Sequence, residues 1–82
     1  MRQYTKENKK LLNKLVCNRC GRELKLEQGA PREGVFHGEV LWGYFSEKDG
    51  ERHSFDLCED CYGQITASFA LPVRVEDETE FL

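Results

Sequence analysis

Cys17-Asn18-Arg19-Cys20 and Cys58-Glu59-Asp60-Cys61 are two Cys-x-x-Cys pairs, and together they use every cysteine in the chain. Each pair can bring two thiolates to one ion, so the two offer four soft sulfur ligands. Cys17, Cys20, Cys58 and Cys61 therefore match the closed, tetrahedral shell of one structural Zn2+ ion. Iron accepts the same sulfur-only shell, and the residue types leave that choice open. A thioredoxin-like redox centre is the competing chemistry for either pair alone, but no βαβ pattern surrounds them. Four bound thiolates leave the ion no position for water, so hydrolysis at the metal is not expected.

The chain needs such a staple. Its 82 residues make one domain at most, with 39% hydrophobic and 33% charged side chains. Domains of this size bury little apolar surface. Structural zinc couples on the order of 10 kcal/mol or more of binding free energy to folding, comparable to the roughly 5–15 kcal/mol net stability of an ordinary domain. The metal is expected to decide whether the chain folds.

The net charge of -3 is unevenly spread. Residues 1–25 hold eight Lys or Arg against two Glu, a balance of +6, and residues 26–82 hold four against thirteen acids, a balance of -9. The acidic majority repels nucleic acid, and only the N-terminal quarter could attract it. No apolar run suggests a signal peptide or a membrane span, and reduced paired cysteines suit a cytoplasmic location.

Around the cysteines the pattern reads as follows. Residues 1–16 are expected to form a basic amphipathic helix over 4–16, capped by Thr5, with Tyr4, Leu11, Leu12, Leu15 and Val16 on one side. Residues 17–75 form the four-cysteine domain, and 76–82 an acidic, frayed tail. Gly21 after the second cysteine permits the positive φ of a knuckle turn, and Leu24 and Leu26 begin a short returning strand. The stretch 27–39, broken by Gly29, Pro31, Gly34 and Gly38, is expected to be an extended loop with a short strand near Val35-Phe36. So long a loop is a candidate partner surface.

Residues 40–57 read as a hairpin about Asp49-Gly50, a favoured pair for a two-residue type I′ turn. That register sets Tyr44 opposite Phe55 and Trp42 opposite Leu57, with Lys48 opposite Glu51 and Glu47 opposite Arg52. Cys58, Cys61, Tyr62, Ile65 and Phe69 share a helical face, which Pro72 terminates. Val73-Arg74-Val75 is expected to add a short strand. His53 and His37 are expected to pack or hydrogen bond rather than ligate a metal.

Knuckle, hairpin, then a helix opening on the second Cys-x-x-Cys: over residues 17–70 this order resembles the treble-clef class of zinc finger. The resemblance implies that Cys17 and Cys20 ligate from the knuckle and Cys58 and Cys61 from the first helical turn. The fold class expected is a small, metal-stabilised α+β domain of treble-clef type with an added N-terminal helix. Phe55-Asp56-Leu57-Cys58-Glu59-Asp60-Cys61-Tyr62 also looks like the second half of ZZ-type fingers. Those use a second metal site whose extra cysteines are missing here, so ZZ function is not carried over. HNH-type nucleases build on treble clefs too, but their histidine pattern is absent.

No catalytic constellation or phosphate loop is found, so neither an enzyme nor a small-molecule substrate is expected. The favoured function is protein–protein interaction or self-association, with Trp42, Tyr44 and Phe45 as candidate contacts. One alternative is nucleic-acid binding through Lys6, Lys9, Lys10, Lys14, Arg19, Arg22 and Lys25. Another is a redox- or metal-responsive switch.

Overall fold

Three antiparallel hairpins and one helix, all in chain order, make up the computed structural model, which describes residues 1–78. Strand β1 (Arg2–Tyr4) pairs with β2 (Leu12–Leu15), β3 (Leu26–Glu27) with β4 (Ala30–Pro31), and β5 (Val35–Leu41) with β6 (Arg52–Cys58). Helix α1 (Glu59–Thr66) follows β6 directly. The result is a small α+β domain whose knuckle, hairpin and C-terminal helix are consistent with a treble clef.

The expected N-terminal helix does not form; residues 1–16 make the β1–β2 hairpin instead. Thr5, read as a helix cap, closes the turn between the strands. Its hydroxyl donates to the Asn8 carbonyl at 2.7 Å and accepts the Asn8 N–H at 3.0 Å. The Asn8 side chain in turn accepts the Lys10 N–H at 2.8 Å. Such local bonds offer the backbone an alternative to helix. The apolar spacing misleads for a second reason. Gln3 pairs with Lys14 and Tyr4 with Leu12, which leaves Asn13 as an extra residue in a β-bulge. The bulge turns Leu12 and Leu15, three apart, onto the same buried side, the spacing that a helix would also give.

The β5–β6 pairing also departs from expectation. Phe55 faces Gly38 rather than Tyr44, and Leu57 faces Phe36 rather than Trp42. The partner strand is thus drawn from six residues earlier in the chain, within the stretch expected to be a loop. Asp49-Gly50 still centres a turn, with the Glu51 N–H donating to the Lys48 carbonyl at 2.9 Å. Only Gly50 has a positive φ, +90°, so the turn is not type I′. It lies within a longer loop, 42–51, closed by the Trp42 N–H donating to the Glu51 carbonyl at 3.0 Å. The earlier register lets Phe36 pack on Phe55 and on Tyr62 of the helix, with centroids 6.1 and 5.3 Å apart. Gly38 makes room for this, since a Cβ there would lie 2.9 Å from Phe36 and 3.1 Å from Phe55.

Helix α1 begins one residue after its cap, Cys58, and ends at Thr66, short of the expected stop at Pro72. No strand forms at 73–75. Of the expected acidic tail, 76–78 is exposed and irregular, and 79–82 lies outside the described residues.

The core joins both halves of the chain: Leu12, Leu15, Leu24 and Leu57 cluster with Cys17, Cys58 and Cys61. A test separates the hairpin from a helix. Leu15 is 0% and Leu11 40% exposed, so Leu15→Ala in metal-loaded protein should cost about 2–5 kcal/mol by denaturant unfolding. Leu11→Ala should cost less than half of that, whereas a helix with both leucines on its packed face would make the two losses alike.

Candidate metal centre

The first sulfur pair is set by a tight knuckle. The Cys17 N–H donates to the Arg22 carbonyl and the Gly21 N–H to the Cys17 carbonyl, both at 2.9 Å. Gly21 holds φ +79°, as its expected role requires. A bridge between Val16 and Glu23 closes the base. The second pair straddles the β6–α1 junction, where the Cys58 sulfur caps the helix by accepting the Cys61 N–H at 3.4 Å. Asn18 locks one pair to the other. Its N–H donates to the Asp56 carbonyl at 2.8 Å, and its side-chain oxygen accepts the Asp56 N–H at 2.9 Å.

This arrangement brings the sulfurs of Cys17, Cys20, Cys58 and Cys61 within 4.8 Å of one another, with all four thiols free. The Cys20 and Cys58 sulfurs are 3.9 Å apart. A tetrahedron with metal–sulfur bonds of about 2.3 Å has edges of about 3.8 Å, so the donor set fits one metal ion. Cys17, Cys58 and Cys61 are buried, and only Cys20 reaches solvent.

The electrostatics of the thiols favours a cation among them. Burial raises the pKa of Cys17, but the N–H groups of Cys20, Cys58 and Arg19 outweigh it and bring the thiol down to about 6. Cys58 is lowered as well, chiefly by the Cys61 N–H. Cys61 feels the guanidinium of Arg19, which favours its thiolate, yet burial and the other three sulfurs push it up to about 11. Neighbouring thiols titrate as one coupled set; a divalent cation in place of the protons would let all four ionise.

Arg19 and Arg22, read as candidate nucleic-acid contacts, stand beside the sulfurs. Arg19 lies against Cys61 and donates to Gln64 at 2.8 Å. Arg22 pairs with Glu33 at 2.9 Å and adds its charge near Cys58. Lys6, Lys9 and Lys10 fall in the segment joining β1 to β2, Lys14 lies on β2, and Lys25 precedes β3. The candidate aromatics divide too. Trp42 packs edge-on against His53, with Lys48 over its ring, while Tyr44 and Phe45 stand in loop 42–51. His53 sits 2.9 Å from a Glu51 oxygen.

Asp56 is the residue that sequence reasoning missed. It is 1% exposed, and its carboxylate accepts from Arg2 Nε at 2.8 Å, His37 Nδ1 at 2.9 Å and the Met1 ammonium at 3.0 Å. Burial raises its pKa, but these donors prevail and hold it below the ordinary carboxylate value. The alternation of a strand ending at Cys58 already places Asp56 on the ligand's side.

Among the described residues no helix is long and apolar enough to cross a membrane. No family model, curated protein or solved structure matches the chain.

Two tests follow from the geometry. Natively purified protein should carry one metal ion per chain by elemental analysis, and a strong chelator or Cys58→Ser should abolish both metal and folded circular dichroism. Metal-free protein that stays folded would refute this. Asp56→Asn should cost about 3–5 kcal/mol at pH 7, because it leaves Arg2 and His37 facing an uncompensated site. The carboxylate's folded pKa lies below its unfolded value of about 3.9. Its contribution is thus complete above that value and is lost only as pH falls through the folded one. Denaturant unfolding of the metal-loaded pair should therefore show a gap that does not narrow between pH 8 and about pH 5.

Proposed function

We propose that the chain is a small zinc-stabilised module of treble-clef type that binds another protein. Zinc is the preferred ion because four thiolates at tetrahedral spacing, with no open position, suit a d¹⁰ cation that does no chemistry. A closed sulfur shell supports a structural task for the metal.

The observation that carries the binding half is the tip of loop 42–51. Tyr44 is 82% and Phe45 98% exposed, and their rings meet edge to face at 5.1 Å. The loop is built to hold them out. The Ser46 N–H donates to the Gly43 carbonyl, the Ser46 hydroxyl accepts the Lys48 N–H, and the Gly50 N–H donates to the Trp42 carbonyl. A displayed aromatic pair on a braced loop contributes nothing to the isolated fold, and aromatic residues are the usual anchors of protein interfaces.

A photo-reactive benzophenone side chain in place of Phe45, introduced in the native host, tests the reading. It should give discrete adducts with a protein of different mass, while the same group in place of exposed Asn13 should not. Phe45→Ser should leave unfolding within about 0.5 kcal/mol of the parent. Adducts that match those from Asn13, or none, would count against a protein-binding role.

A further inference from the structure

A second apolar surface lies on the β5–β6 face that carries Phe36, Phe55 and Leu57. Tyr62 and Ile65 of α1 border it, and Phe69 and Val73 extend it past the helix end. Phe36, Phe55, Phe69 and Val73 are each 37–50% exposed. Two adjoining hollows share Phe36 and Tyr62. One, of about 310 Å³, runs toward Phe69 and Val73; the other, of about 270 Å³, runs toward Gly34 and Glu59. Together they form one open, largely apolar trough.

Charge says what would fill it. Glu59 is the one charged residue lining either hollow. Its carboxylate lies over Gly34, 2.6 Å from where a Cβ would stand. Among the described residues that carboxylate has no ion-pair partner. The later cations of the chain are engaged elsewhere: Arg32 with Glu27, Arg52 with Glu39, Arg74 with Glu76, and Lys48 over Trp42. In sequence Val73 is followed by Glu76, Asp77 and Glu78, of which Glu76 pairs with Arg74. An apolar floor with an unpaired carboxylate at its edge disfavours phosphate backbones and anionic lipid. It also disfavours a second copy of this chain entering by its aromatic loop, since Glu47, Asp49 and Glu51 follow Tyr44 and Phe45 in the same loop.

We infer that the trough docks a short apolar segment of a partner protein that carries lysine or arginine beside its anchor. The anchor would lie between Phe36, Tyr62 and Phe69, with the cation at Glu59. This rests on the protein-binding reading and names the partner's chemistry at a surface separate from loop 42–51.

The test uses the full, metal-loaded chain and two synthetic peptides with the same alternating leucine and tryptophan residues. One is flanked by lysine, the other by glutamate, and binding is followed by NMR of side-chain signals. The lysine peptide should saturably shift Phe36, Phe55, Tyr62, Ile65 and Phe69, and bind at least about tenfold more tightly than the glutamate peptide. Glu59→Gln should weaken it about two- to fivefold, as expected for an exposed ion pair. Phe69→Ser, beyond the helix and with metal content unchanged, should weaken it about tenfold or more. Equal binding of both peptides, shifts centred on Tyr44 and Phe45, or no binding at millimolar peptide would overturn the inference. So would the same shifts on raising protein concentration alone, which would assign the trough to a second copy. Adducts from position 45 that persist while the trough stays empty would sink this inference and leave the protein-binding reading standing.

Discussion

The reciprocal pair of hydrogen bonds between Asn18 and Asp56 decides where one pair of sulfurs stands relative to the other. Asn18 lies inside the first Cys-x-x-Cys, and Asp56 lies two residues before Cys58. A two-point backbone latch at that place leaves little freedom in the separation of knuckle and helix. The carboxylate of Asp56 then points away from the latch to Arg2 and His37, so the same residue ties the β1–β2 hairpin and β5 to the metal side. A buried carboxylate is costly unless its partners are in place. Correct closure of the N-terminal hairpin and correct spacing of the ligands are therefore one event.

Much of the site was legible in the residues. Cysteine spacing named the four residues whose sulfurs come together, Gly21 announced the knuckle turn, and the apolar face after Cys58 located the helix. Two larger elements were not, for the same physical reason: a period can be imitated. The bulge at Asn13 gives a strand the three-residue spacing of a helix. In the main hairpin, a shift by an even number of residues leaves the inward and outward faces of β6 unchanged, so alternation could not choose between Tyr44 and Gly38 opposite Phe55. What chose was tertiary packing: the fit of Phe36 against Tyr62 over a glycine. Asp56 escaped notice because its partners arrive from Arg2 and His37, far apart in sequence, and only the true register sets His37 opposite it.

The uneven charge of the chain also acquires a structural meaning. In the basic quarter Arg2 pairs with Asp56, and the exposed Arg19 and Arg22 stand near the sulfurs of Cys61 and Cys58. Four thiolates on a divalent ion carry a net charge near minus two, and these guanidinium groups offset part of it. The later arginines pair with nearby acids, which leaves the surface around α1 and loop 42–51 acidic.

The distribution of aromatic residues completes the picture. In most small domains aromatic side chains dominate the core. Here none of the eight within the described residues is among the buried set, which consists of four leucines, three cysteines and Asp56. Four leucines and a four-sulfur cluster close this small core, and an ion bound there would supply the cohesion that buried rings otherwise provide. Tyr44 and Phe45, 82% and 98% exposed, take no part in that core. Removing either would cost the isolated chain little, whereas removing a cysteine or Asp56 would undo it. The four sulfurs and their leucines thus hold the fold, while Tyr44 and Phe45 remain at the surface.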